Sequence, residues 1–297
     1  MNVKIRHMCA FDAAVRLGSF VEAAGALHVT PAALSLAIRE LEDSIGFKVL
    51  QRTTRRLRLT EAGGGYLAHV QRVLAELDAA ERFADDVRHG QSVLRVATTQ
   101  TVIATLLART LPDLNAAYPR ITLQPLDVAA GGITDALVSG AADLAIGVNL
   151  PSNDEFEARP LFLSRWFAYL GPGHRLARRK RLAWSDLAGE RLSMTKAANY
   201  LKLRALLGKG VDLEGTQEAT AVGGMAMASS GRGVAVFPGY VQPMARILGM
   251  RAVPIETPAL PHELQIAVAR HHVGTVPIRE VMETLERSME TRCRRWR

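Results

Sequence analysis

The tight connection between two amphipathic segments near the start of the chain restricts the fold more than anything else in the sequence. Ser19 and Glu22 form a capping-box pair ahead of an apolar stripe of Phe20, Ala23, Ala24 and Leu27. A second stripe, Leu34, Ile38, Leu41 and Ile45, follows Thr30 as N-cap and Pro31 at the first helical position. Between Leu27 and Pro31 there is room only for a turn, so the two short helices must cross steeply, as in a helix-turn-helix. Ile5, Met8, Phe11 and Val15 mark a helix before them. The face of the third helix turned away from its stripe carries Thr30, Ala32, Ala33, Ser35, Leu36 and Arg39, a small-residue surface that permits close approach.

After Gly46 the chain reads "FKVLQRTTRRLRLT", with Lys48, Arg52, Arg55, Arg56 and Arg58 and no acidic residue. Leu57 and Leu59 alternate as in a short strand, which fits a two-stranded hairpin with a basic tip. Taken alone, such a cluster is most often a solvated charge run. Placed directly behind a helix-turn-helix, it reads as a wing that grips phosphates. Arg52 has a second reading, pairing with Glu42 or Asp43. The formal net charge of +8 fits a polyanion or an anionic ligand and does not choose between them.

From Thr60 onward Tyr66, Val70, Val73, Leu77, Ala80, Ala84 and Val87 recur at spacings of four and three, a heptad seam sustained for about three heptads. Such a helix either packs on its own domain or pairs with a second chain. Pairing is favoured, because no other nearby helix is available to cover the seam.

Beyond "RHGQS" strand and helix patterns alternate: "LRVATT", "ITLQPLDV", "ITDALVSGAADLAIGV", "RWFAYLG", "EATAVGG", "GRGVAVFP", "LQIAVAR" and a closing helix from Pro277. This is an α/β domain of about two hundred residues. Within 297 residues the chain has only Cys9 and Cys293, so there is no disulfide framework and no metal-ligand spacing. No cofactor is expected. Lys4, Arg6, His7, Asp12 and Arg16 interrupt any apolar signal-peptide core, and no apolar run nears the roughly 20 residues of a membrane span. The expected setting is the cytoplasm, with no membrane contact. There is no HExxH, nucleophile elbow or P-loop, and "GRGVAV" has Val236 where a dinucleotide motif needs a small residue, so an enzyme is not expected.

The stretch "GSFVEAAGALHVTPAALSLAIRELEDSIGFKVLQRTTRRLRLTEAG" resembles the amino-terminal signature of LysR-type transcriptional regulators: a helix-turn-helix, "LE…GF" into a basic wing ending in "LTEAG", then a long linker helix. "GAADLAIGV", "GPGHRLA", "SDLAGERL" and "SSGRGVAVFPGYV" are similar to that family's effector domain. The resemblance implies a multidomain chain. Residues 1–60 would form an all-α winged helix-turn-helix, 61–90 a dimerising linker helix, and 91–297 an α/β effector domain similar to periplasmic binding proteins. Subdomain I of the effector domain would take 91–162 and 266–297, subdomain II 163–265, with a cleft between them. The resemblance further implies a homodimer or tetramer on double-stranded promoter DNA, a grip that changes when a small molecule binds, and RNA polymerase as a partner if the protein activates.

One departure stands out. Where the family commonly shows a glutamine beside the N-cap and polar or basic residues along the recognition helix, this chain has Pro31, Leu36 and Ala37. Specificity is therefore expected from Thr30, Ser35 and Arg39, from apolar contact of Ala32, Ala33 or Leu36 with thymine methyls, and from DNA shape. Lys48, Arg52, Arg55 and Arg56 are the expected phosphate contacts.

For the effector, the loops that follow strands direct helix N-termini into the crevice. One lip carries Thr98, Thr99, Gln100 and Thr101; the other, "SMTKAANY", carries Thr195, Lys196 and Asn199. Polar side chains on both lips with one lysine point to a small organic anion such as a carboxylate, ordinary helix caps being the competing reading for each residue. Val128, Ala129, Gly147 and Phe237 are candidate lining residues that core or turn positions would equally explain. The "HRLARRKR" run is read as a solvated loop. Neither cysteine has a resolving partner nearby in sequence, so a thiol switch like that of peroxide-responsive members is not expected.

Overall fold

A computed structural model describes residues 3–52, 57–194, 217–218, 220–231, 233–270 and 276–294, the side chains of Arg52, Gln217 and Glu218 apart. The chain divides into two compact units: residues 1–85 with the short segment Val138–Gly140, and the remainder.

The first unit opens with α1 (Ile5–Leu17), α2 (Phe20–Ala26) and α3 (Pro31–Ile45). Helices α2 and α3 meet at 99°. The turn between them is a helix C-cap in which His28 takes a left-handed φ of 54°, while the amide of Val29 donates to the Ala24 carbonyl at 3.0 Å. Phe11, Ala14, Ala23, Ala24, Leu34, Ile38 and Leu41 are buried against one another, so the stripes expected from the sequence are the core. Helix α1 is tied to α3 by His7 Nε2, 2.9 Å from Glu40 Oε2, and by Arg6 at 3.1 Å from the same oxygen. Burial pushes the Glu40 carboxyl up, but the hydrogen bonds from Arg6 and His7 outweigh it and hold the group below its ordinary value.

Strands β1 (Leu50–Arg52) and β2 (Leu57–Leu59) pair antiparallel, Leu50 opposite Leu59, and make the expected hairpin. Helix α4 (Glu61–His89) follows at once. Thr60 Oγ1 donates to the Lys48 carbonyl at 2.8 Å and accepts from the Gly63 amide at 2.8 Å, which fastens the helix start to the hairpin. A side chain at Gly63 would put its Cβ 2.1 Å from the Val49 carbonyl oxygen. The "LTEAG" stretch is thus a packed junction rather than a spacer.

The second unit holds two sheets. The five-stranded sheet has the order β4-β3-β5-β13-β6, from β3 (Ser92–Thr98), β4 (Ile121–Asp127), β5 (Leu144–Gly147), β6 (Phe156–Ser164) and β13 (His262–Ala269). The six-stranded sheet has the order β10-β9-β11-β7-β12-β8, from β7 (Trp166–Leu170), β8 (Leu182–Ala183), β9 (Leu192–Met194), β10 (Gln217–Glu218), β11 (Val234–Pro238) and β12 (Arg251–Thr257). Strands β5, β7 and β11 are buried along their whole length, as their unbroken apolar sequences require. The chain passes between sheets twice, from Ser164 to Trp166 and from Thr257 to His262. Boundaries at 162/163 and 265/266 therefore cut into β6 and β13; both strands run past the point where their apolar pattern alone would end them.

Helices cover the sheets: α5 (Gln100–Val102) runs through a π-helical stretch, Ile103–Leu107, into α6 (Ala108–Ala117). Then come α7 (Ile133–Val138), α8 (Ala221–Ser229), α9 (Gln242–Ile247) and α10 (Ile278–Arg292). Among the described residues no single helix is long and apolar enough to cross a membrane.

Candidate functional site

The face of α3 expected to be functional lies at the surface. Thr30, Ala32, Ala33, Leu36 and Arg39 are exposed, and Ser35 is half-buried. Thr30 Oγ1 accepts from the Ala33 amide at 3.2 Å, so it caps the helix. In the wing, Arg58 is exposed and registers with Gln51 across the hairpin. Arg52 closes β1, and Arg55 and Arg56 lie outside the described residues.

Lys48 is also exposed, but its ammonium sits 2.9 Å from Glu42 Oε2. Glu42 itself is buried, and its other oxygen accepts the amides of Val49 at 3.1 Å and Leu50 at 3.4 Å. Glu42, one of the two partners considered for Arg52, is thus engaged by Lys48, whose charge is shared with the domain; the Arg52 side chain lies outside the described residues. Glu42 is a residue the sequence reading passed over: it anchors the strand from which the wing projects.

The heptad seam divides. Tyr66 is half-buried and stands edge-on to Phe47, with ring centroids 5.8 Å apart, and Val70 is 1% exposed in the core of the first unit. These two belong to their own domain rather than to a second chain, because the start of α4 is clamped onto β1. Leu77 is half-buried; Val73, Ala80, Ala84 and Val87 are exposed, as is Phe83 beside them.

A cavity of about 580 Å³ lies in the second unit, where the loops after β3, β4 and β5 face the start of α8 and the end of β11. Thr99, Gln100, Thr101, Val128, Ala129, Gly147 and Phe237 line it. Thr98 does not: it is fully buried, and its hydroxyl donates to the Ile146 carbonyl at 2.7 Å, holding β3 to β5. Thr195, Lys196 and Asn199 lie outside the described residues.

The helix start at Thr99 differs from the others that open on a serine or threonine. Ser19, Thr30, Thr60 and Thr220 each accept a hydrogen bond from the amide three residues on. Thr99 makes no side-chain cap. Thr101 beside it is 9% exposed and also lines the cavity, and its backbone carbonyl accepts from the Thr105 hydroxyl at 2.7 Å. A helix start without a side-chain cap, with Thr99, Gln100 and Thr101, thus forms part of the cavity wall, an arrangement suited to an anion.

The opposite wall was not foreseen. Thr220, at the start of α8, and Trp166, Tyr240 and His262 line the cavity. Trp166 and His262 begin the strands that follow the two crossings, so their rings meet edge to face at 5.2 Å although they are far apart in sequence. Tyr240 Oη lies 3.2 Å from His262 Nε2. Burial lowers the His262 pKa to about 4 and pushes the Tyr240 phenol well above its ordinary value, so both are neutral near pH 7. Asp127 is the one carboxylate among the described lining residues.

Residues 5–64 match the family model described as "Bacterial regulatory helix-turn-helix protein, lysR family", and residues 88–290 match "LysR substrate binding domain". A hydrogen peroxide-inducible genes activator of Dickeya chrysanthemi is 30% identical over 233 residues, 77% of this chain and 76% of that protein. The regulator CrgA of Neisseria meningitidis serogroup C is 32% identical over 190 residues, 64% of this chain and 62% of CrgA. Among solved structures, full-length CbnR superimposes with a TM-score of 0.70 at 18% identity, covering 96% of this chain and 99% of CbnR. CbnR in complex with its target DNA gives 0.69 at 19% identity over the same shares. The chain belongs to the LysR family of DNA-binding transcriptional regulators, with a helix-turn-helix domain joined by a long helix to a two-sheet effector domain.

Proposed function

We propose that this regulator is a cytoplasmic homodimer on promoter DNA whose grip is set by a small organic anion bound in the cavity between the two sheets. The observation that carries the effector reading is the open helix start at Thr99, next to the buried Thr101, where every other serine or threonine start named above is capped. The carboxylate of the effector sits on the Gln100 and Thr101 amides and the two hydroxyls. Asp127 disfavours a second negative charge, which argues for a monoanion.

The exposed Val73, Ala80, Ala84 and Val87 supply the dimer seam. A pair of dimers is the larger assembly, and an activator would also meet RNA polymerase. Some relatives are named for hydrogen peroxide, but here burial raises the Cys9 thiol and Cys293 is fully buried, so bound ligand rather than thiol oxidation is the proposed signal.

The test has two parts. Thermal unfolding of the full chain is followed against a panel of monocarboxylates and dicarboxylates; a monocarboxylate should raise the midpoint, and the Thr99→Val, Thr101→Val double variant should abolish the rise. Fluorescence anisotropy on the upstream DNA, over a salt series and with the stabilising acid present, should then show a changed affinity, with a shallower salt slope for Arg55→Ala, Arg56→Ala. Stabilisation by no acid, or equal stabilisation of the double variant, would defeat the effector assignment.

A further inference from the structure

The chemistry of the α3 face sets what it can read in a major groove. Ala32, Ala33, Leu36 and Arg39 fall at spacings of three and four, so they share one side of the helix, and all are exposed. Leu36 is 53% exposed and Val29, in the turn ahead of the helix, 44%. The start of the helix thus presents two large apolar side chains at the surface. The polar groups nearby are poorly placed to supply base-specific hydrogen bonds: the Thr30 oxygen already caps Ala33, and Ser35 is half-buried. Arg39 alone on this face has the reach for a bidentate contact with guanine. The face belongs to a stretch, residues 5–64, that matches a regulatory helix-turn-helix family, which favours a polyanion over a protein as its occupant.

We infer that this regulator recognises its operator chiefly through C5 methyl groups in the major groove, with Val29 and Leu36 as the reading residues. The inference rests on the DNA-binding reading above and deepens it. Base pairs present one apolar group in that groove, the thymine methyl, and the apolar side chains of Val29 and Leu36 match it and offer no acceptor to the exposed amino group of cytosine. Because the feature read is the methyl and not the base, 5-methylcytosine should be accepted in part where cytosine is refused.

The experiment starts from operators that the full-length protein selects out of random duplexes, so that the protein defines its own site. Each thymine of the selected half-site is replaced in turn by deoxyuridine, which removes the methyl and leaves the pairing edge unchanged. Wild-type affinity should fall roughly fourfold for each methyl that is buried on binding. Leu36→Ala, at an exposed position where folding is preserved, should bind thymine and uracil operators alike at the position it faces. Replacing that thymine by cytosine should weaken binding, and 5-methylcytosine should recover part of the loss. Selected operators bound equally with thymine or uracil would overturn the inference while leaving a DNA-binding regulator in place. Enrichment of no sequence would overturn both it and the DNA reading. A Leu36→Ala variant whose self-association changes by sedimentation velocity, with the thymine preference intact, would assign the patch to contacts between copies and overturn the inference too.

Discussion

Thr30 and Thr99 begin helices in different units with almost the same backbone, φ −79° and ψ 151° against φ −81° and ψ 151°. Thr30 uses its hydroxyl to close the start of α3, whereas Thr99 leaves its helix start open on a cavity. The open one is held in place by its neighbours: Thr98 ties β3 to the Ile146 carbonyl, and Thr105 bonds back to the Thr101 carbonyl. In the DNA-binding unit the capping residue is itself part of the fold. In the effector unit adjacent threonines divide the work, and the pair left over is available to a ligand.

The severest way to break that comparison is at the third threonine start. Gly63→Ala should cost about 3 kcal/mol in urea unfolding and remove DNA binding, since Val49 offers backbone and no flexible side chain to move aside. Acid should separate the units next. His262 titrates at 6.5 when unfolded and at about 4 when folded, so the unfolded chain takes up the proton first as pH falls. Its contribution is complete above pH 6.5 and is lost between there and pH 4, which is a loss on the order of 2 kcal/mol at pH 5. Thermal unfolding of the effector unit from pH 7 to 5 should show that drop, and His262→Gln should flatten it.

A smaller effect sharpens the contrast in binding. Thr101→Val should weaken a stabilising acid about tenfold by calorimetry, because a charge-assisted hydrogen bond is lost and the buried shape is kept. The smallest effect compares the two threonines directly. Thr30→Ala should cost about 1 kcal/mol and Thr99→Ala under about 0.5 kcal/mol in the same unfolding assay. Equal costs would mean that the Thr99 start is an ordinary cap.

What could be read in the sequence followed the range of the interactions. Periodic stripes, Thr30 with Pro31, and the Leu57–Leu59 alternation are local signals, and they located three helices and a hairpin. The lip after β3 was legible because helix starts after strands have a sequence signature, while the second expected lip, Thr195 to Asn199, lies outside the described residues. Trp166, Tyr240 and His262 were not, since they meet only through strand crossings that bring distant segments together. The seam residues Tyr66 and Val70 were misassigned for a related reason: a heptad pattern records which face is apolar, not whether the surface that covers it belongs to the same chain. Lys48 likewise looks free in sequence because its partner, Glu42, lies on the preceding helix.

The clamp between Thr60, Gly63 and the hairpin also bears on engineering. Hybrid regulators, in which one protein's operator specificity is joined to another's ligand response, are naturally cut where the wing ends and the long helix begins. In this chain that cut would leave Val70 and Leu74 behind with the wrong parent and strip the DNA-binding core of part of its wall. A transplantable reading head must carry the helix past Leu74, and a splice beyond that residue should transfer operator choice without rebuilding either half.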